Sequence, residues 1–184
     1  MVSKNSLSQK SKSEYIEHLK QMDFEYGDYI EKVERKYAPL IGKFLIAFSE
    51  LEHNLNLAIA GYFADDLHEI GYTIIENLKF SQKIDLFYKL YIREEIMIRN
   101  RKTKSVLNTI KRKLESINNF RNKIVHANWV SLKKDKTVRT KIIVNKTGEG
   151  VKFKRVKISP KSIEKRIKET KDLVERIDEY KCTD

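Results

Sequence analysis

Apolar positions recur with helical spacing along most of the chain. Over residues 40–63, Ile41, Phe44, Leu45, Phe48, Leu51, Leu55, Ala58, Ile59 and Tyr62 form a broad stripe, which predicts the central helix of the core. Upstream, from Glu14, Tyr15, Ile16, Leu19 and Met22 predict helix, as do Tyr26, Tyr29, Ile30, Val33 and Tyr37 around a kink at Gly27. Proline is tolerated in a first turn and not in an interior, so Pro39 marks a boundary between helices. Gly61, Ala64, Asp65, Asp66 and Gly71 then break the pattern before a short apolar piece over residues 72–78. Ser81 reads as the N-cap of a helix carrying Ile84, Leu86, Phe87, Leu90, Tyr91 and Ile92. A basic run, Arg99, Arg101, Lys102 and Lys104, separates it from the next helix, with Thr103 as the expected cap. That helix extends to Trp129, with Val106, Ile110, Leu114, Ile117 and Ile124 on one stripe.

Past Trp129 the period shortens. Residues 138–145 and 151–158 are rich in β-branched side chains, and residues 146–150 supply turn chemistry, so a hairpin is expected, with basic residues on both strands. It reads either as an insertion or as a solvated edge pair in which lysines discourage aggregation. Ser159-Pro160 opens a last helix with Ile163, Ile167, Leu173, Val174 and Ile177 inward. The expected class is therefore mainly α: an up-and-down helical bundle with a basic β-hairpin, about residues 130–158, inserted before the C-terminal helix. Residues 1–13 read as a polar tail, and residues 14–184 as a single domain.

Composition narrows the function classes. The chain has 184 residues, with 2 prolines and 6 glycines, too few for a turn-rich sandwich or barrel. Its formal charge of +12 at pH 7 points to an anionic partner, most simply nucleic acid, or to a lysine-rich solvated surface. The single cysteine, Cys182, excludes an internal disulfide and a multi-cysteine metal site. Neither a glycine-rich phosphate loop nor a His and carboxylate cluster is present, so no cofactor or metal is expected, and His53 and His68 read as surface residues. The opening residues lack the apolar core of a leader, and the longest apolar run, over residues 39–48, is short and carries Lys43. A cytoplasmic setting without a membrane partner is the expectation.

Two charges stand against the apolar pattern. Arg121 occupies a position where the stripe of its helix asks for another apolar residue, so it must be paired, or face a cleft or a second chain. Glu52 lies at the edge of the central stripe, one turn after Phe48; it either pairs with Arg121 or reaches solvent. His126 sits five positions beyond Arg121, about 140° round the helix, with Asn122 as its one-turn neighbour.

A long apolar helix containing Phe48-Ser49-Glu50-Leu51-Glu52, followed by a later helix ending Arg121-Asn122-Lys123-Ile124-Val125-His126, resembles the HEPN superfamily (higher eukaryotes and prokaryotes nucleotide-binding). That family's motif is an arginine, four to six residues, then a histidine, often with a polar residue straight after the arginine. The resemblance covers about residues 15–129 and the last helix, and leaves the hairpin aside. It implies a HEPN-like bundle and a homodimeric, metal-independent endoribonuclease, with Arg121, Asn122 and His126 catalytic and Glu52 supporting them. It further implies a defence, abortive-infection or toxin setting with an antitoxin or other partner protein. In one branch a tyrosine two positions after the histidine accepts adenylyl groups; Asn128 stands there, which argues against neutralisation by that route.

The residue types suit this chemistry. RNA supplies its own nucleophile, the 2′-OH, so a protein needs a base, an acid and positive charge on the phosphorane. An imidazole titrates near ~6.5 and serves as either acid or base, and a guanidinium gives phosphate two bonds at once. A two-fold dimer brings two copies of each into one groove. The RNA contacts are assigned to Lys123, Lys152, Lys154 and Arg155. A module that binds RNA or a protein without turnover is the alternative. A purely structural one makes Arg121 and Glu52 a core ion pair and His126 a cation at the helix end. Trp129 is read as core rather than as a base-stacking platform.

Overall fold

Helices α1 (Asp28–Gly61), α2 (Glu69–Ile75), α3 (Phe80–Ile98), α4 (Arg101–Val125) and α5 (Pro160–Asp178) make the chain mainly helical in the computed structural model. Strands β1 (Glu14–Glu17), β2 (Asn128–Leu132), β3 (Lys136–Val144) and β4 (Val151–Lys157) complete the elements among the described residues. These residues are 14–17, 28–63, 69–98, 101–132, 136–144 and 151–179. The tail over 1–13, Leu19, Met22, Tyr26, the kink at Gly27, Ala64, Asp65, Asp66, His68, Arg99, Asn100, the turn over 146–150 and Cys182 lie outside them. The chain divides into two compact units. One comprises Met1–Ala38 and Ala127–Pro160, the other Pro39–His126 and Lys161–Asp184.

The helical unit is built on α1 from Pro39 onward. The boundary expected at Pro39 does not exist, because α1 runs through it. An interior proline removes one helical hydrogen bond and costs about 3 kcal/mol or more. Pro39 and Arg35 are both exposed, so water can meet the carbonyl that loses its N–H partner. Beyond Pro39, Phe44, Leu51, Leu55 and Ile59 are fully buried, as are Ile84 and Phe87 of α3 and Ile163 and Ile177 of α5. Each such side chain contributes about 1.5–3 kcal/mol relative to leaving it in water. On α4 the buried residues are Leu107, Ile110, Leu114, Ile117 and Ile124, while Val106, expected in the stripe, is exposed. Residues 107, 110, 114, 117, 121 and 124 keep spacings of three and four; position 106 lies about 100° off that line. Hydroxyls tie the helices together: Tyr91 donates to the Ala58 carbonyl at 2.9 Å and Tyr88 to Asn108 Oδ1 at 2.8 Å.

Two local readings change. Gly71 was expected to break the pattern, yet it lies inside α2, where an added Cβ would stand 2.4 Å from the Cα of Ala60. The glycine lets α2 approach the backbone of α1. Ser81 is not the cap of α3, which starts at Phe80. The backbone N–H of Lys79 donates to Gln82 Oε1 at 2.8 Å, the backward half of a capping box. Thr103 likewise falls within α4 rather than before it.

In the other unit, β3 and β4 pair antiparallel, from Val138 opposite Lys157 to Val144 opposite Val151. They are the middle of a four-stranded sheet ordered β1-β4-β3-β2. Sequence pattern missed both outer strands. Tyr15 and Ile16 were expected in a helix, but they extend beside β4, opposite Arg155 and Lys154. A short isolated helix is marginal in water, whereas an open sheet edge offers a row of backbone partners. Trp129 belongs to β2 and not to a helix end. It is half-buried, with its ring centroid 5.6 Å from that of the buried Tyr37, whose hydroxyl donates to the Ile158 carbonyl at 3.1 Å. Among the described residues, no helix is long and apolar enough to cross a membrane.

Candidate nucleic-acid interface at the end of α4

The last turns of α4 carry the motif residues in unlike environments. Arg121 continues the buried line Leu114, Ile117 and Ile124, so its stem enters the core while its head emerges at the edge. The guanidinium carbon lies 5.6 Å from the centre of the Phe48 ring, and Nη1 donates to Asn122 Oδ1 at 3.2 Å. Its Nε is buried and meets no acceptor among the described residues. Asn122, Lys123 and His126 are exposed.

His126 lies just past the helix, where its N–H still donates to the Asn122 carbonyl at 3.2 Å. The backbone therefore holds its helical path through this residue. Arg121 and Asn122 come together, whereas His126 is set about 140° round from Arg121. One chain does not bring the arginine and the imidazole to a common point.

The expected pairing of Glu52 with Arg121 is not made. Glu52 Oε1 accepts from Lys83 Nζ at 2.9 Å, and Arg121 meets no carboxylate among the described residues. Lys83 is buried on α3, between Phe80 and Phe87 at spacings of three and four. That spacing was the available signal that a lysine stood on the inner face and needed an anion.

The aromatic chain beneath the site involves a second arginine that pattern reading passed over. Phe44 meets Phe120 edge-on at 5.1 Å, and Phe48 meets Phe80 at 4.7 Å. Arg166 of α5 lies 5.4 Å over Phe120 and donates to Ser116 Oγ at 3.2 Å and Glu169 Oε2 at 2.8 Å. Lys152, Lys154 and Arg155 fall on β4, in register with Ile143, Lys141 and Thr140 of β3.

The Lys111 ammonium donates to Asp85 Oδ1 at 2.7 Å, and this bond raises the lysine above its ordinary value near 10.5, against a smaller opposing effect of burial. No group of three or more His, Cys, Asp or Glu suited to a metal ion occurs among the described residues, and His53 is exposed. No family model matches the chain, and comparison with curated proteins and with solved structures finds no match.

Proposed function

We propose that the protein is a HEPN-like, metal-independent endoribonuclease whose site is completed across a homodimer. The observation that carries this reading is the state of Arg121. It interrupts an otherwise apolar line, stacks on Phe48, lacks a carboxylate among the described residues, and is steadied by Asn122. Burying the Nε donor without an acceptor is unfavourable, so a purely structural role gives no return on it. A phosphate arriving from outside supplies the missing charge.

In this reading Arg121 neutralises the phosphorane, Asn122 orients it, and the exposed imidazole of His126 moves the proton of the 2′-OH or of the leaving 5′-oxygen. Two-fold symmetry places Arg121 of one protomer against His126 of its partner, which removes the obstacle of their divergence on one helix. Attack by the 2′-OH forms the new phosphorus–oxygen bond and expels the 5′-oxygen, leaving a 2′,3′-cyclic phosphate and a 5′-hydroxyl. A defence or toxin role, with a neutralising or activating partner, belongs to the same proposal.

The test is cleavage of a labelled RNA in excess EDTA. The parent protein yields cyclic-phosphate ends and His126→Ala yields none; equal cleavage by the variant overturns the assignment. A module that binds RNA without turnover is favoured instead by one feature, the separate sheet unit with Lys152, Lys154 and Arg155 along β4. It would return the RNA intact.

A further inference from the structure

Two adjoining cavities lie between α4 and α5, of about 370 and 350 Å³, and share Arg112, Ser116 and Arg166. Together they form one groove. At one end Ile117 and Leu173 give it an apolar floor; at the other it is lined by Asn119, Phe120 and Lys123. Its cations are Arg112, Lys113, Lys123 and Arg166, against the carboxylates of Glu115 and Glu169.

Those carboxylates are already engaged. Glu169 accepts from Arg166 at 2.8 Å and lies 3.9 Å from Lys165, and Glu115 lies 3.9 Å from Lys111. Arg112 is held by Nε on the Asn108 carbonyl at 3.3 Å and by Nη2 on Thr109 Oγ1 at 3.4 Å, which leaves Nη1 directed to neither. With Glu169 cancelling Arg166, the excess charge belongs to Arg112, Lys113 and Lys123. Asn119 and Ser116 add polar groups between the cations.

The groove also has a direction. Arg112, Ser116, Asn119 and Lys123 follow one another at spacings of four, three and four, on one line of α4, and the next step of three reaches His126. The His126 N–H bond to Asn122 keeps this residue on the helical path. Arg112 and His126 are about 21 Å apart along the axis at 1.5 Å per residue. A row of cations and hydrogen-bonding groups over that length, with an apolar floor at its far end, fits a chain of phosphates better than one anion.

We infer that the α4/α5 groove binds the backbone of a single-stranded RNA and leads it to His126, with Arg112, Lys123 and Arg166 on successive phosphates. This rests on the nucleolytic reading for the role of His126, whereas strand binding in the groove is measured separately. Ser116 and Glu169 fix the Arg166 head beside Phe120 on the groove wall.

The experiment measures binding of a fluorescein-labelled twelve-nucleotide RNA to the full chain carrying His126→Ala, so that the strand stays whole. Arg112→Gln with Lys123→Gln changes two exposed side chains and leaves the Arg166–Glu169 pair in place. Affinity is expected to fall about tenfold or more at low salt. The slope of log affinity against log salt should become shallower by about 1.4, from roughly 0.7 per phosphate contact on a single strand. The control, Lys168→Gln with Lys171→Gln, alters exposed charges on the other side of α5 and should leave both nearly unchanged.

An unchanged slope in the groove variant, an equal loss in the control, or RNA bound no more tightly than AMP would each overturn the inference. Binding that responds as expected while the parent leaves RNA uncut would sustain the groove and sink the nuclease. Cleavage by the parent with no effect of the groove variant on binding would do the reverse.

Discussion

Lys83 Nζ lies 2.9 Å from Glu52 Oε1, and the two partners differ in their access to water: 9% of the lysine side chain is exposed against 34% of the glutamate. Removing one partner of a buried pair costs about 3–5 kcal/mol when the remaining charge is stranded, and less when it can reach solvent. Glu52→Gln should therefore destabilise the protein more than Lys83→Met, by roughly 1 kcal/mol or more. Urea denaturation of both variants measures the difference, and equal losses would show that Lys83 reaches water.

On the proposed nuclease reading, Arg121 should separate stability from activity. Its buried Nε lacks an acceptor among the described residues, so Arg121→Met should leave the midpoint of thermal unfolding unchanged or raise it, by up to about 1 kcal/mol of stability. RNA cleavage should fall by about 10²-fold or more, the scale of losing one donor to a developing charge. Calorimetry beside a cleavage assay decides the matter. A large fall in stability would make the arginine a structural residue.

The approach of α2 to α1 requires Gly71. An alanine Cβ there would stand 2.4 Å from Ala60 Cα and 2.8 Å from the Ala60 carbonyl oxygen, both backbone atoms. Helix propensity favours alanine by up to about 1 kcal/mol, but forcing the helices apart typically costs about 1–3 kcal/mol. Gly71→Ala is expected to destabilise the protein on balance. An unchanged or higher unfolding midpoint would contradict this close contact.

The Lys111–Asp85 pair predicts a dependence on alkaline pH. Because the lysine is raised in the folded protein, its contribution is complete below its ordinary value near 10.5 and disappears as pH rises through the raised value. The pair is partly exposed, so the effect should be no more than about 0.2–1 kcal/mol. Parent and Asp85→Asn should differ in stability at pH 9 and converge above the raised value. A gap that persists there would assign the difference to Asp85 alone.

Legibility followed the distance over which each feature is decided. The inward residues of α5, Ile163, Leu173, Val174 and Ile177, could be read from spacing, and so could the presence of a charge at position 121 in the line of α4. Phase was harder: Val106 and Leu107 are both apolar, and only the line continued through Ile110 selects Leu107. Pro39 misled because its usual effect on a helix is local, whereas the helix through it is secured by packing further along α1. The strand at Glu14–Glu17 reads as helix from the spacing of Tyr15, Ile16, Leu19 and Met22, since four residues are too few to show the alternation of a strand.

The order of residues alone determined which faces of the long helices are apolar, because backbone geometry repeats over three or four positions and side chains must follow it. It also determined that Arg121 stands among apolar neighbours. Only the tertiary structure decided that Lys83 rather than Arg121 meets Glu52, that Glu14–Glu17 closes one side of a sheet, and that Arg166 shares a groove with Arg112. Those partners lie 31, 136 to 142, and 54 positions apart by residue number. Which of several distant groups satisfies a charge or an open strand edge is settled by where the folded backbone places it, and local periodicity carries no record of that.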